Sequence, residues 1–506
     1  MNSLIHLAKV VRRLKSHEMS TLKTYLDSFK IEHINEGSKT NSLIELLSDE
    51  KQPKVSEVLQ FKIYGKPNAQ AFEKLVKRTR DKVYESLLLE NNLSKVQTHS
   101  ERNRVGYELR KKLIEAEILA SRGLGDDNES LYDYMIKKAL TFEFYDVVLE
   151  VFYNKHTFAS FRYGTKKINA IKKEIKKYEL IKSAVNEARV IFDEFVARVN
   201  FAASSKDYLK YLPEMIETLS ERYKQTNSPT IGYFLYFIET DLHQQRGDFL
   251  EAKNTLLKMV DLLKKNLSVK TRNRLGTVYG NLGNNELLMS NFDQGLGYIE
   301  QSIVFFRESP INVNVVKEVE FLLQLFQGKY YEAEEIVKKL CESSSTQKAS
   351  FLFYKRTYLY ACLKNLQGDY KRSESLLAEV KEIEKDKEGW NIGIRLLQIM
   401  NLIDRGKHEL VETQVQNLKK YLSRLKGQTQ ARRRYAVILR VLSRLMNDNF
   451  SFSKTWKRSQ KYFDLLASDD EKHSWAIKGP EVIAFHEWFA SRMELRRFSY
   501  TKLFKK

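Results

Sequence analysis

One short pattern recurs through the second half of the chain and constrains its fold more than any other feature. A turn former and a polar residue precede an aromatic; after two intervening residues comes a small side chain, and an apolar helical run follows. It reads RGDFLEAKNTLLKMV from Arg246, MSNFDQGLGYIEQSI from Met289 and QGKYYEAEEIVKKL from Gln327. It returns as QGDYKRSESLLAEV from Gln367 and RGKHELVETQVQNL from Arg405, with a degenerate copy, NDNFSFSKTWKRSQ, from Asn447. The turn positions Gly247, Ser290, Gly328, Gly368, Gly406 and Asn449 follow one another at about 40 residues, the range of helical repeat arrays.

The chemistry of the pattern is local. A glycine after a helix enters the left-handed region without a β-carbon clash and ends the helix there. The aromatic two residues on (Phe249, Phe292, Tyr330, Tyr370) opens the next helix, where it packs back on the first. The small residue three further on (Ala252, Gly295, Ala333, Ser373) lets the two helices approach. Each unit is then a helical hairpin that cannot bury its apolar face alone, so neighbours must stack. Elsewhere, runs such as EAEILASRGL and SLLAEVKEIEKDKEG repeat apolar residues at three and four, and sustained strand-type alternation is almost lacking. With only 6 prolines in 506 residues, few points force a chain break. The expected class is all-α.

These residues resemble the tetratricopeptide repeat (TPR). Val278, Leu282-Gly283, Phe292, Gly295, Ile299, Ser302 and Pro310 follow the order of its pattern; the other copies match mainly in the turn. The period is nearer 40 than the family's 34, and the first-helix Leu-Gly is usually missing. The resemblance implies a right-handed superhelix, an α-solenoid of TPR-like hairpins over 231–460, preceded by degenerate hairpins over 100–230 and followed by capping helices over 461–506. LTFEFYDVVLEVFYN from Leu140 reads as one such degenerate unit, with Phe142, Tyr145 and Val148 inward, and SSKDYLKYLPEMIETLSERY from Ser204 as another. KKINAIKKEIKKYELIK from Lys166 reads as a long connecting or stacked helix.

The resemblance also implies where a partner binds. In this repeat class the first helix of each hairpin lines a concave groove that holds extended or helical peptides. The mapping places Asn281, Asn284 and Asn285 there, with Lys355, Tyr358 and Asn365 in a later unit and Arg440 and Arg444 in the last. Asn side chains offer donors and acceptors to a peptide backbone, although these ones are equally read as plain exposed surface. The basic groove residues favour an acidic peptide or partner helix.

The N-terminal stretch 1–95 is of another kind. It reads as a helix over 2–29, a polar loop HINEGSKTN, helices near 41–49 and 55–63, a break at Gly65 and Pro67, and a long helix capped by Asn68. That last helix carries an apolar stripe of Phe72, Leu75, Val76, Thr79, Val83 and Leu87. Lys74, Lys77 and Arg78 lie on another face, with Arg80 and Lys82 beside them. The string KIYGKPNAQAFEKLVKRTRDKVYESL resembles the helix-turn-helix half of the response-regulator-type winged helix, a module that precedes TPR-like arrays in several bacterial regulator classes; no strand pair for a wing is legible. The resemblance implies phosphate contacts from the five basic residues. A basic helix face is also read as solvated surface.

The formal net charge of +21 favours polyanions or acidic partners, and a Lys-rich exposed surface accounts for it equally well. Two cysteines, Cys341 and Cys362, make neither a disulfide framework nor a metal cluster. The nine histidines show no metal-ligand spacing, and His17-Glu18 and His486-Glu487 lack the second histidine of a zinc-protease motif. His408 takes the aromatic place in a repeat turn and reads as a packing residue. No Lys follows the glycines of GNLGNNELLMSNFDQGLGYIEQSI, which rules against a phosphate loop. No catalytic, cofactor or metal site is expected. Aromatic runs such as YFLYF and FLFYKRTYLY fit helix packing better than base stacking.

The N-terminus lacks a signal-peptide core, and no segment approaches 18 uncharged apolar residues, so the expected location is cytoplasmic. The tail EVIAFHEWFASRMELRRFSYTKLFKK, from Glu481, reads as an amphipathic cap on the last repeat or, through its basic end, as a membrane-surface element. Three functions follow as expectations: a non-enzymatic scaffold binding another protein in its groove, a DNA-binding transcriptional regulator, or a membrane-peripheral adaptor.

Overall fold

Helix is the only regular secondary structure among the residues described in the computed structural model. These are 2–28, 36–49, 55–94, 100–125, 128–162, 164–201, 209–343, 350–383, 386, 389–424, 430–468, 470 and 472–504. Residues 33–35 of HINEGSKTN and 204–208 of SSKDYLKYLPEMIETLSERY lie outside them; from Glu36 onward the stretch expected as a loop is helix. The chain divides into two compact units, 1–182 and 183–506.

The first unit opens with α1 (Asn2–Arg13), α2 (Ser16–Asp27), α3 (Glu36–Ser48), α4 (Ser56–Tyr64), α5 (Ala69–Leu87) and α6 (Glu90–Leu93). The single helix expected over 2–29 is two. The chain turns at Leu14, and the Glu18 carboxylate accepts from the Lys15 backbone N–H (2.8 Å), satisfying a donor that a continuous helix would have used internally. Apolar residues of α1 to α5, among them Leu7, Leu22, Leu43, Leu59, Phe72 and Val83, share one core. The next elements are α7 (Glu101–Ser121), α8 (Asn128–Thr141) and α9 (Tyr145–Arg162), followed by α10 (Thr165–Phe201), which runs across the unit boundary. α8 and α9 form the hairpin expected at Leu140, with Phe142 and Val148 buried and Tyr145 partly so.

The second unit continues with α11 (Leu212–Thr226) and then six consecutive hairpins. They pair α12 (Pro229–Arg246) with α13 (Phe249–Lys265), α14 (Arg272–Leu288) with α15 (Phe292–Phe306), and α16 (Pro310–Phe326) with α17 (Tyr330–Glu342). The last three pair α18 (Phe351–Leu366) with α19 (Tyr370–Glu379), α20 (Trp390–Asp404) with α21 (His408–Arg424), and α22 (Gln430–Asn447) with α23 (Phe452–Ala467). After them come α24 (Phe485–Met493) and α25 (Thr501–Phe504).

Every predicted turn position is left-handed: φ is +81° at Gly247, +62° at Ser290, +76° at Gly328, +83° at Gly368, +67° at Gly406 and +51° at Asn449. The small residues Ala252, Gly295, Ala333 and Ser373 are buried where paired helices cross. His408 stacks on Phe450 with ring centroids 3.8 Å apart, the packing role its place in the repeat suggested.

The glycine-rich α14 owes its composition to crowding. A β-carbon at Gly283 would meet Ile299 at 2.6 Å, and one at Gly276 would meet Phe306 at 2.8 Å. At Gly280 it would approach Val316 of the next hairpin to 3.0 Å. Helix α14 is therefore pressed by α15 and α16 at once, a close-packed joint with no room for a larger side chain at three positions.

Candidate functional site

The first helices of the later hairpins form one face of the second unit, the face where the repeat pattern led to the expectation of a groove. The chain's own C-terminal segment, 475–504, lies in it. Near its start the backbone turns, the Gly479 N–H donating to Ala476 O (2.8 Å), and Trp475 and Tyr500 pack edge-on against Phe326 at the end of α16. Lys478 Nζ donates to Asn284 Oδ1 of α14 (2.5 Å), 194 positions earlier in the chain.

Three consecutive tail carbonyls each accept a hydrogen bond from an aromatic side chain. Tyr358 of α18 donates to Pro480 O (2.6 Å), Trp475 Nε1 to Glu481 O (2.7 Å) and Tyr500 to Val482 O (3.1 Å). A buried backbone carbonyl must find such a partner or cost about 1–3 kcal/mol, and a non-helical segment has no helix to supply one. Beneath Pro480 runs α20, whose Gly393 leaves the space the tail needs: a β-carbon there would stand 2.0 Å from Pro480 O.

Two ion pairs, one buried and one partly buried, fix the rest. Arg434 of α22 holds Glu481 through two parallel bonds, Nε to Oε2 at 2.7 Å and Nη2 to Oε1 at 2.8 Å, both side chains almost wholly buried. Arg434 Nη1 also donates to Leu466 O and His473 O, and Glu481 Oε1 accepts from the Phe485 N–H, capping α24. Further along the tail, Arg492 donates to both oxygens of Asp404 at the end of α20 (2.6 and 3.0 Å), and Trp488 Nε1 donates to the same carboxylate (3.1 Å). Phe485, Trp488 and Phe489 are buried, packed with Phe452 and Phe463 of the last hairpin. His486 Nδ1 faces Arg434 Nη2 at 3.2 Å, and burial together with that guanidinium pushes its pKa down to about 4.

The tail thus meets the first helices of four hairpins, α14, α16, α18 and α20, and packs its helix α24 on the last hairpin. This corrects several groove assignments. Asn285 is buried, donating to Phe249 O (2.9 Å) and accepting from Gln244 Nε2 (3.2 Å), so it ties the first repeat hairpin to the second. Asn365 is buried and donates to Asn401 Oδ1 (2.9 Å). Tyr358 lies beneath the tail. Arg444 turns toward its own hairpin partner, donating to Arg458 O (2.7 Å) and lying over the Tyr462 ring, which Arg440 also approaches. Helical spacing from the repeat turn could not separate a first helix's groove side from its joint with the second helix. Lys355 lines a cavity beside the tail, paired with Glu318 (3.0 Å). Asn281 is partly exposed, and Asn284 is partly exposed with Lys478 as its partner.

In the N-terminal module, α4 ends at Gly65 in the left-handed conformation, and Asn68 caps α5 by accepting from the Ala71 N–H (3.1 Å). Lys74, Lys77 and Arg78 are exposed on α5, whereas Arg80 donates to Asp81 and Lys82 to Glu85. The two thiols are unsuited to nucleophilic work: burial pushes Cys341 up to about 11 and Cys362 up to about 12. No helix among the described residues is long and apolar enough to cross a membrane, and no group of three His, Cys, Asp or Glu among them is placed to hold a metal ion.

No family model matches the chain. The chromosome partition protein Smc of Methanocaldococcus jannaschii is 27% identical over 172 residues, which is 33% of this chain and 13% of that protein. Among solved structures, a signal transduction ATPase with numerous domains from Pyrococcus horikoshii, carrying a tetratricopeptide repeat sensor, is similar over 82% of this chain and 66% of that one, at 12% identity and a TM-score of 0.37. The chain therefore spans only a small part of the curated relative and less than two thirds of the solved one.

Proposed function

We propose that this chain is a non-enzymatic protein-interaction scaffold whose partner docks on the first-helix face of the repeat hairpins, beside the tail. The observation that carries this reading is the tail itself: the face holds a non-helical stretch of polypeptide by a side-chain-to-carbonyl bond, Tyr358 to Pro480, and by paired charges. A surface built to hold one such segment has the chemistry to hold another beside it, around Asn281 and Lys355, next to the Asn284 that already accepts from Lys478 of the tail. The test is affinity capture from the native host with the intact chain and with a variant carrying Asn281→Ala, Asn284→Ala and Lys355→Ala. Partners lost from the variant support the groove, and identical partner sets would sink it.

A second reading, DNA contact by the N-terminal module, rests on the α4–Gly65–α5 turn with Lys74, Lys77 and Arg78 exposed on α5. Each phosphate contact contributes about 0.9 to the slope of log affinity against log salt. DNA binding by the intact chain should then lose up to three such increments when the three residues become Ala. A slope unchanged by the replacement excludes it.

A further inference from the structure

Away from the first-helix face, a cavity of about 580 Å³ opens between the second helix of the last hairpin and the C-terminal segment, within the roughly 300–1,000 Å³ of small-molecule sites. Trp456, Gln460, Phe463, Asp464 and Ala467 share one face of α23 and form one wall at helical spacing. Trp475, His486, Glu487, Ala490 and Leu503 of the tail form the other. Most of this lining is apolar, and several of its polar groups are already spent within the fold. Trp475 Nε1 donates to Glu481 O, Glu487 pairs with Arg496, and Lys502 at the rim pairs with Glu494.

Asp464 and His486 differ. Asp464 accepts from Gln460 Nε2 (3.0 Å) at one oxygen and has no ion-pair partner among the described residues. His486 Nδ1 lies 3.2 Å from Arg434 Nη2. A guanidinium can only donate, so Nδ1 accepts and the neutral ring carries its proton on Nε2. Burial and the same guanidinium hold the pKa at about 4, so the ring is neutral at pH 7. His486 lines the cavity and Arg434 does not, so the ring meets the cavity with its other edge, whose N–H has no partner among the described residues.

We propose that this cavity binds a small zwitterion with an apolar body, the chemistry of a free aromatic or long aliphatic amino acid. The Asp464 carboxylate takes the ammonium group, the His486 Nε2–H takes the carboxylate, and Phe463, Leu466 and Ala490 receive the side chain. Each half of the ligand answers one observation. A carboxylate without a counter-ion, in a cavity that also holds two indole rings, favours a cation. A neutral N–H donor without an acceptor favours an oxygen. A pure anion would meet Asp464, and a pure amine would leave the His486 donor unmet.

The probe is L-phenylalanine, read by the tryptophan fluorescence and the thermal midpoint of the full chain, two of whose four tryptophans line the cavity. Its counterparts are 3-phenylpropionate, which lacks the ammonium group, and phenethylamine, which lacks the carboxylate. Phenylalanine is expected to bind and to raise the midpoint, and both counterparts to bind at least tenfold more weakly. Asp464→Asn, which keeps an acceptor toward Gln460, should weaken phenylalanine at least tenfold and leave the unliganded midpoint in place. His486→Asn keeps an acceptor toward Arg434 but removes the Nε2–H, so it should weaken phenylalanine and leave phenethylamine unmoved. Absence of binding to the unmodified chain, equal affinity for the three compounds, or an affinity unmoved by Asp464→Asn overturns the proposal. Equal losses for phenylalanine and phenethylamine in His486→Asn also overturn it, because the residue then acts only through the fold. Asn281, Asn284 and Lys355 do not line this cavity, so its failure leaves the scaffold reading standing.

Discussion

At Gly393 a β-carbon would stand 2.0 Å from the carbonyl oxygen of Pro480 and 2.6 Å from the Tyr358 hydroxyl. Neither obstacle is the end of a flexible chain, so Gly393→Ala must push the tail away from α20. Overpacking of this kind costs about 1–3 kcal/mol, and the Tyr358–Pro480 bond goes with it. Urea unfolding should show a loss of at least about 2 kcal/mol for this variant. The same glycine was the one available sequence signal for the occupied groove. A glycine within the apolar helix WNIGIRLLQIMNLID costs about 1 kcal/mol against Ala and so asks for a reason; the reason lies 87 positions away in Pro480, beyond the reach of any local pattern.

His486 supplies a pH dependence with a definite sign. Its neutral form accepts from Arg434, and its pKa in the folded chain falls to about 4 from an ordinary value near 6.5. Between those values the unfolded chain binds the proton and the folded one does not, so stability falls as pH drops from about 6.5 toward 4 and is fully present above 6.5. Chemical denaturation at pH 7 and pH 5 should show this loss in the unmodified chain. In His486→Asn, whose amide oxygen can still accept from Arg434, the part due to this residue should vanish, and an unchanged pH slope would count against the assignment.

At the level of elements, the repeat hairpins were legible because their determinants are local. Six turn positions spaced along the sequence are six left-handed residues in the structure, four of them glycine. A β-carbon at Gly368 would touch nothing within 4 Å, so Gly368→Ala pays only the left-handed strain, about 1–2 kcal/mol. Gly283→Ala, with Ile299 at 2.6 Å and Gly295 O at 3.1 Å, should cost more even though its backbone is ordinary helix. Thermal melts of the two variants would rank them, and a milder Gly283→Ala would contradict the crowded joint between α14 and α15. What the repeat pattern left open was which side of each first helix is free. Asn285 and Asn365 are polar, and polarity in a first helix suggested the groove; instead both are buried among donors and acceptors of neighbouring hairpins. Polarity alone does not separate an exposed amide from one spent inside a joint.

Across the second unit, a stack of hairpins alone has contacts only between neighbours, and its stability is then a sum of local terms. The tail changes that, since it bonds to Asn284, Tyr358, Asp404 and Arg434, which belong to four different hairpins. It also buries Phe485, Trp488 and Phe489, at about 1.5–3 kcal/mol for a Phe-sized ring. A segment held this firmly is part of the fold. The Arg434–Glu481 pair tests this most sharply. Glu481→Ala leaves the Arg434 charge buried and uncaps α24, and breaking such a pair costs about 3–5 kcal/mol. Replacing both, Arg434→Met with Glu481→Leu, should recover part of that loss, because no charge is then stranded. The double variant should also regain the single sharp denaturation transition that Glu481→Ala loses when the hairpins it links unfold separately. A chain in which Glu481→Ala unfolds as one sharp step, at unchanged midpoint, would mean that the hairpins are coupled without the tail.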